Sequence, residues 1–401
     1  MNLLANRLGQ VNKIYAFPEG YLDRSLRKCY TGPTQKNEMI RKVCRFNVLR
    51  FLLTSTFIAF YVALPAGAAT IDDALKNIRS LPPVQRKAVI EENARKEREV
   101  VWYTSMGLTD FPKIVDAFEK AVPYVKVKAN RLTQSTIVTK IDTEARAGLF
   151  AVDVVGSAPV EIWELKQRGH SASYLSPELK AFPVGSYDPQ GFWSSFEVTP
   201  IVVALNTKLV PLDEAPRSYQ DLLQPKWKGK INMGSDEYAW YSVMLDGMGK
   251  TKGLEYMKAL ARQQLHIPGS SSIMRLQLML AGESAIALAA RGRRVTEYKE
   301  KGAPVDYRLF DPYPAEPNAL ALMRRSSHPY AAIAFIDWIL SEEAQSLIAQ
   351  QIPRLTLRKG VKQIPRHQEL YKKEFVFVNP ASIGANLNEL IASYQQVFNV
   401  R

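Results

Sequence analysis

The chain has 401 residues and a formal net charge of +14, from 53 Lys and Arg against 39 Asp and Glu. Half of that excess lies in residues 1–68, with ten Lys/Arg and three Asp/Glu; the 333 residues after them carry +7 without a dense basic block, so nucleic-acid binding is weakly supported. Both cysteines, Cys29 and Cys44, also lie in that leader, which removes disulfides, thiolate metal sites, a cysteine nucleophile and a lipid anchor from the remainder.

Residues Phe51 to Leu64 (FLLTSTFIAFYVAL) form an uncharged apolar run. Arg41, Lys42, Arg45 and Arg50 precede it, and Pro65 followed by Ala66-Gly67-Ala68-Ala69 closes it. A basic region, a short apolar region and a small-residue site are the parts of a secretory signal peptide. A membrane span needs about 20 apolar residues, and Pro65 ends this run early. The pattern predicts export with cleavage after Ala68. Met39 stands where such a leader begins, so 39–68 reads as the signal peptide and the polar, aperiodic residues 1–38 as a disordered extension ahead of it. The remaining length exceeds the usual size of one core, and two domains are the default.

Residues 69–98 form an N-terminal helical segment, with Ile71, Ala74, Leu75 and Ile78 on one face, a break at Pro82-Pro83, and a second helix from Gln85 to Arg98. Val100 to Tyr103 reads as a buried strand, and Phe111, Ile114, Val115 and Phe118 follow at helical spacing. Val125, Val127 and Ala129 alternate as a strand, Ile137, Ile141 and Ala145 mark a helix, and Val152 to Val155 a further strand. This βαβαβ order predicts a parallel sheet with helices on both faces. Strands are expected again at Thr199–Leu205, Lys230–Met233, Ser284–Leu288, Val305–Phe310 and Ala319–Met323, with helices at Tyr330–Leu340 and Glu342–Gln350. The tail from Gly360 to Arg401 is expected to pack back as helices, the clearest being Leu387 to Phe398.

The segments VVWYTS (100–105), KIDTEARAGLFAVDVVGS (140–157), VALNTKLVP (203–211), SYQDLLQPKWKGKINM (218–233), LAGESAIAL (280–288), KGAPVDY (301–307) and HPYAAIAFIDWILSEEAQ (328–345) stand in a recognisable order. From about Val100 to Gln350 the chain resembles a type 2 periplasmic binding protein. It is most similar to the ferric-iron-binding and related substrate-binding subunits of bacterial ABC importers. The resemblance implies an α/β fold of two doubly wound lobes joined by crossing hinge strands, with a ligand cleft between them. It divides the chain into lobe 1 (99–198 plus 317–345) and lobe 2 (199–316 plus 346–401). The implied partners are a small-molecule ligand and the permease subunits of the inner membrane, the implied state a monomer, and no cofactor is implied.

In open α/β sheets ligands bind outside the carboxyl ends of strands, where loops and helix N-termini converge. That rule selects Thr104 and Ser105 after the first strand, Ser135 and Thr136 at the start of a helix, and Ser157 at the end of the third strand. Each is equally readable as a helix cap. In the second half, Ser235-Asp236-Glu237-Tyr238-Ala239-Trp240-Tyr241 places carboxylates and aromatics after a strand end, and Asp236, Tyr238 and Tyr241 are candidate ligand contacts or a cap with core aromatics behind it. Ser271, between Ser270 and Ser272, is a candidate for an anion nest or a plain cap. Glu197, Thr199, Pro312, Tyr313, Pro314 and Asn318 fall where the chain crosses between lobes.

In the ferric-binding relatives, the strand corresponding to 284–290 runs into adjacent tyrosines that ligate the metal. Here it runs into Ala289-Ala290-Arg291-Gly292-Arg293-Arg294. A guanidinium repels a cation and grips carboxylate or phosphate, so Arg291 favours an anionic or carboxylate-bearing ligand, with Arg293 and Arg294 readable as solvated residues pairing with Glu297. If the ligand were ferric iron, Tyr103, Tyr238 and Tyr241 would be the donors. A polyamine or thiamine would rely on Asp236, Glu237 and the aromatics. His170, His266, His328 and His367 are scattered, and no nucleophile elbow or phosphate loop follows a strand, so no catalytic residue is expected.

Overall fold

The structure, a computed structural model, describes residues 70–400. The expected leader, 1–68, lies outside the described residues.

Helix α1 (Ile71–Ile78) opens on a capping box. The Thr70 hydroxyl accepts from Asp73 N at 3.2 Å, and the Asp73 carboxylate accepts from Thr70 N at 3.3 Å. Helix α2 (Pro83–Glu97) begins at the proline itself rather than two residues later as the sequence suggested. Proline is favoured in a first helical turn because its missing N–H has no partner to lose there. Strand β1 (Glu99–Thr104), helix α3 (Phe111–Ala121), strand β2 (Lys126–Arg131), helix α4 (Gln134–Arg146) and strand β3 (Val154–Ser157) follow the predicted alternation. β1 lies between β2 and β3, parallel to both.

Helix α5 (Pro159–Gln167) and the short strand β4 (Ser171–Ala172) lead to β5 (Ser194–Asn206). Beyond it come β6 (Ile231–Asn232), α6 (Tyr238–Met248), α7 (Lys250–Ala261), α8 (Ser272–Ala281), β7 (Ile286–Arg291), α9 (Gly292–Glu300) and β8 (Val305–Arg308). Strand β9 (Pro314–Met323) returns antiparallel to both β5 and β3. The sheet path is β2-β1-β3-β9-β5-β7-β6, with β4 and β10 (Val376–Phe377) on β9 and β8 on β5. The first part of β5 pairs with β9 from Ser194 to Pro200, and the second with β7 and β8 from Ile201 onward. β5 and β9 are therefore the strands that cross between two lobes.

Both crossing strands are longer than the sequence suggested, which placed them at 199–205 and 319–323. Their missing halves carry Ser194, Ser195, Glu197, Glu316 and Asn318, polar residues that interrupt the apolar signal on which a buried strand is recognised.

Helices α10 (Pro329–Leu340) and α11 (Glu342–Gln350) follow β9, and α10 packs on α2 in the first lobe. The Glu97 carboxylate accepts from Tyr330 N at 3.2 Å and Ala331 N at 2.7 Å, so the N-terminal segment supplies the cap that α10 lacks in its own sequence. Trp102, Phe118, Phe335 and Trp338 form the aromatic centre of that lobe, with ring centroids 5.1–5.4 Å apart in successive pairs. Buried Asp153, just before β3, accepts from Val101 N, Ser326 Oγ, Ser327 N and His328 N at 2.7–3.1 Å, joining β1 to the turn that opens α10.

The tail forms α12 (Pro365–Gln368), α13 (Pro380–Ala385) and α14 (Leu387–Phe398), the last over the residues predicted from the sequence. α13 packs on α5, and α14 packs on α6 and α7. A Cβ at Gly384 would lie 2.7 Å from Trp163 Cγ and closer still to two other ring atoms, so the α5–α13 contact is built around a missing side chain.

Candidate functional site

The parallel strands of each lobe end toward the crossing. β1 ends at Thr104 and β3 at Ser157 in the first lobe, β6 at Asn232 and β7 at Arg291 in the second. Between them the pairs Glu197–Asn318 and Thr199–Glu316 stand in register across β5 and β9. Side chains two apart on a strand share a face, so these four form one surface, while Val198, Pro200, Ala315 and Pro317 are buried on the other. The charged floor of the cleft is thus set by strand alternation.

On the first-lobe wall, Thr104 is fully buried and its Oγ1 accepts from Met106 N at 3.1 Å, while Ser105 N donates to Gly156 O at 2.9 Å. Buried Ser157 directs Oγ to Glu161 Oε2 at 3.4 Å. Ser135 and Thr136 are exposed in the first turn of α4, where both hydroxyls gather on Thr133 Oγ1 at 3.2 and 3.1 Å.

On the second-lobe wall, Ser271 caps α8, accepting from Met274 N at 3.3 Å. Asp236 is exposed. The Tyr238 ring meets Tyr394 edge-on with centroids 5.2 Å apart, and Tyr241 is fully buried with its hydroxyl 2.8 Å from Ser393. Tyr394 itself donates to Gly234 O at 2.5 Å. The tail helix α14 therefore occupies the space behind these aromatics, which local spacing could not reveal.

Two of the three phenols named as iron donors are already hydrogen-bonded to neighbours. Tyr103 sits in the apolar cluster beneath α4 and donates to Glu144 at 2.9 Å, whereas Tyr241 is held by α14. Burial keeps Tyr103, Tyr238 and Tyr241 above the ordinary phenol range, so each is protonated at neutral pH.

Arg291 lies 3.4 Å from Glu237 and 3.6 Å from Glu316. Glu237 is itself buried and paired with buried Arg275. Burial works against the charge on Arg291, but Glu237 and Glu316 outweigh it and hold the guanidinium above its ordinary range. Arg354 is the second hub, donating to Asp110 at 2.7 and 2.9 Å and to Glu197, with Asn318 donating to the same Glu197 oxygen at 2.8 Å.

Two charged groups fall outside these pairings. Glu161, in the first turn of α5, is part-buried and makes no salt bridge among the described residues. Burial, with Glu316 and Glu164 nearby, pushes it up to about 7. Arg293, in the first turn of α9, is also part-buried and makes no salt bridge among the described residues. Burial, then Arg354 and Arg294, lowers it from its ordinary range, only partly offset by Glu197 and Asp110. The partner that helical spacing offers it, Glu297, is taken by Arg294 at 2.8 Å and Lys301 at 2.8 Å.

The geometry gathers Ser105, Ser157, Arg291, Glu197 and Asn318 from the sequence candidates and adds Glu161, Arg293, Glu316 and Arg354. Glu161 follows Ser157 by four residues at the end of a strand, the one local signal that could have found it. Arg354 lies outside every motif.

A two-lobed α/β fold with a charged cleft at its crossing strands defines a solute-binding protein. The chain belongs to the bacterial extracellular solute-binding protein family, whose model matches residues 113–374. "Iron uptake protein A1" of Synechocystis sp. is 23% identical over 216 residues, which are 50% of this chain and 60% of that protein. The Fe(3+)-binding periplasmic protein of Serratia marcescens is 22% identical over 270 residues, 64% of this chain and 77% of its own. Among solved structures, Trichodesmium IdiA (FutA) in complex with iron and citrate superposes with a TM-score of 0.67 at 19% identity, covering 75% of this chain and 99% of its own. AfuA of Actinobacillus pleuropneumoniae with exogenous fructose-6-phosphate gives 0.63 at 19%, covering 76% and 99%. These bear out the two-lobed periplasmic binding fold.

Proposed function

We propose that this chain is the substrate-binding component of an ABC importer, exported by cleavage after Ala68, working as a monomer in the periplasm and catalysing nothing. It captures a small anionic solute between lobe 1 (99–198 plus 317–345) and lobe 2 (199–316 plus 346–401), and the closed form docks on the permease. Closure is a hinge motion about β5 and β9, its population shifted by ligand. The observation that carries the reading is Arg293, a part-buried guanidinium that makes no salt bridge among the described residues and whose charge burial, Arg354 and Arg294 disfavour more than Glu197 and Asp110 favour it. A charge withdrawn from water without a partner is costly, and an anion supplies one. Arg291, with its two carboxylate neighbours, completes the wall rather than the grip, and Ser105 and Ser157 offer hydroxyls from the opposite lobe.

The test is a thermal-shift screen of the purified protein against carboxylates, phosphate esters and ferric citrate. Anions stabilise the wild type and not Arg293→Gln, and two charge-assisted hydrogen bonds of about 1.5–3 kcal/mol each predict a loss of at least about a hundredfold in affinity. Ferric iron is the second reading, favoured by the relatives that bind it. Ferric-dependent stabilisation with a visible phenolate charge-transfer band, lost in Tyr238→Phe, would replace the anion reading.

A further inference from the structure

We infer that the outer end of the first lobe carries a second ligand site, an apolar pocket that takes a small apolar carboxylate with its charged head on Arg324 and Arg325. The site is separate from the cleft and does not rest on the function proposed for it.

β3 runs toward the crossing, so Val152, shortly before it, and Met323, at the end of antiparallel β9, mark the opposite end of the sheet. There the chain encloses a pocket of about 330 Å³, a volume within the range of small-molecule sites. Buried Ile141, Val152 and Met323 line it, with Ala145, Leu149 and Phe150.

Local backbone geometry leaves Leu149 without an apolar partner. Helix α4 ends in a Schellman motif, with Gly148 at φ +73°, Gly148 N donating to Ala145 O at 3.0 Å and Leu149 N to Glu144 O at 2.8 Å. An apolar residue at the position of Leu149 commonly packs back on the last turns of the helix. Those positions hold Thr143 and Glu144, and Leu149 stays 60% exposed at the pocket.

The turn after β9 brings the charge. Arg324 N donates to His170 O at 2.8 Å, Ser326 Oγ to Asp153 at 2.7 Å and Ser327 Oγ to Phe150 O at 3.4 Å, which ties this turn to the Phe150 side of the pocket. The Arg325 guanidinium lies over the Phe150 ring, 4.5 Å from its centroid. Stacking uses the face of a guanidinium and leaves its N–H edge for a carboxylate. The other charges at the pocket are engaged: Asp142 holds Arg168 and His170, and Glu144 holds Lys140 at 2.6 Å and Tyr103 at 2.9 Å. Arg324 and Arg325 are exposed and make no salt bridge among the described residues. Two uncompensated guanidinium groups beside an apolar pocket complement a ligand with an apolar body and one carboxylate.

Isothermal titration of the purified protein with 3-phenylpropionate and octanoate, beside acetate and 3-phenylpropylamine, tests this. At least one apolar carboxylate is expected to bind at least about tenfold tighter than both acetate and the amine. Arg324→Gln with Arg325→Gln should weaken it at least about tenfold, and Leu149→Ser about fivefold. All three side chains are exposed, so the ligand-free melting temperature should hold and report any loss of fold. Arg293→Gln, in the cleft, should leave this binding unchanged. Failure of both apolar carboxylates to bind, or equal binding of the amine, overturns the inference. So does binding that is lost in Arg293→Gln and kept in the Arg324→Gln, Arg325→Gln double variant, which would place those anions in the cleft.

Discussion

Gly384 offers a steric test of whether the tail meets α5 only when the lobes close. Its backbone is not in the left-handed region, so alanine fits the conformation and gains up to about 1 kcal/mol of helix propensity in α13. The added Cβ would lie 2.7 Å from Trp163 Cγ, with Cδ2 and Cε3 nearer. Carbon atoms rest about 3.5–4.0 Å apart, so the indole must retreat by roughly 1.5 Å, and overpacking of that kind costs about 1–3 kcal/mol. Trp163 stands on α5 of the first lobe, while α13 shares the cluster of Val243 and Ile383 with α6 of the second. On the proposed boundaries the clash is felt by the closed form alone. Gly384→Ala should then weaken ligand binding about 5- to 150-fold, at 1.4 kcal/mol per factor of ten, with the ligand-free melting temperature unchanged or raised. Titration calorimetry reads the affinity, and Trp163→Leu in the same chain should restore most of it. A ligand-free melting temperature that falls by several degrees with an unchanged Kd would refute the reasoning, because α5 and α13 would then belong to one rigid body.

Asp153→Ala should be strongly destabilising. It strands buried or part-buried donors from Val101, Ser326, Ser327 and His328, and at about 1 kcal/mol or more per orphaned group the loss is at least about 4 kcal/mol, read as a drop in the urea midpoint. The hydrogen bond that His328 Nδ1 makes to the Asp153 carboxylate holds His328 above its ordinary value despite burial. Its contribution is full below about pH 6.5 and is lost as pH rises through the folded value, so Asp153→Asn should flatten the stability profile above pH 6.5. Glu161 runs in the same sense for a different reason, since burial lifts it to about 7. Wild-type stability should decline from about pH 4.5 to pH 7, and Glu161→Gln should match the wild type at pH 4 and exceed it at pH 8 in the same urea assay.

The alternation of β1, α3, β2, α4 and β3 was readable because each element buries one apolar stripe, and Ile114 with Phe118, or Ile137 with Ile141, repeats at helical spacing. The crossing strands were half legible for the same reason reversed. The consecutive apolar residues Ile201, Val202 and Val203 mark the part of β5 inside the second lobe, whereas Glu197 and Thr199 belong to the part whose face is the cleft floor. The trans-capping of α10 by Glu97 was invisible, because donor and acceptor are more than 230 residues apart.

The site was legible by position and not by pairing. Strand ends nominate Ser157 and Arg291, but which charge is free depends on what the rest of the chain brings to it. Arg291 looks free in sequence and is neutralised by Glu237 and by Glu316, which arrives on the return crossing. Arg293 looks solvated and paired, yet Glu297 is turned to Arg294 and Lys301, and Arg354 arrives beside Arg293 from after α11. Local spacing finds the i,i+3 and i,i+4 pairs on a helix surface, and these are the weak ones. The charges that select a ligand are those left over after long-range pairing, and the remainder can be taken only once the fold has brought every partner in.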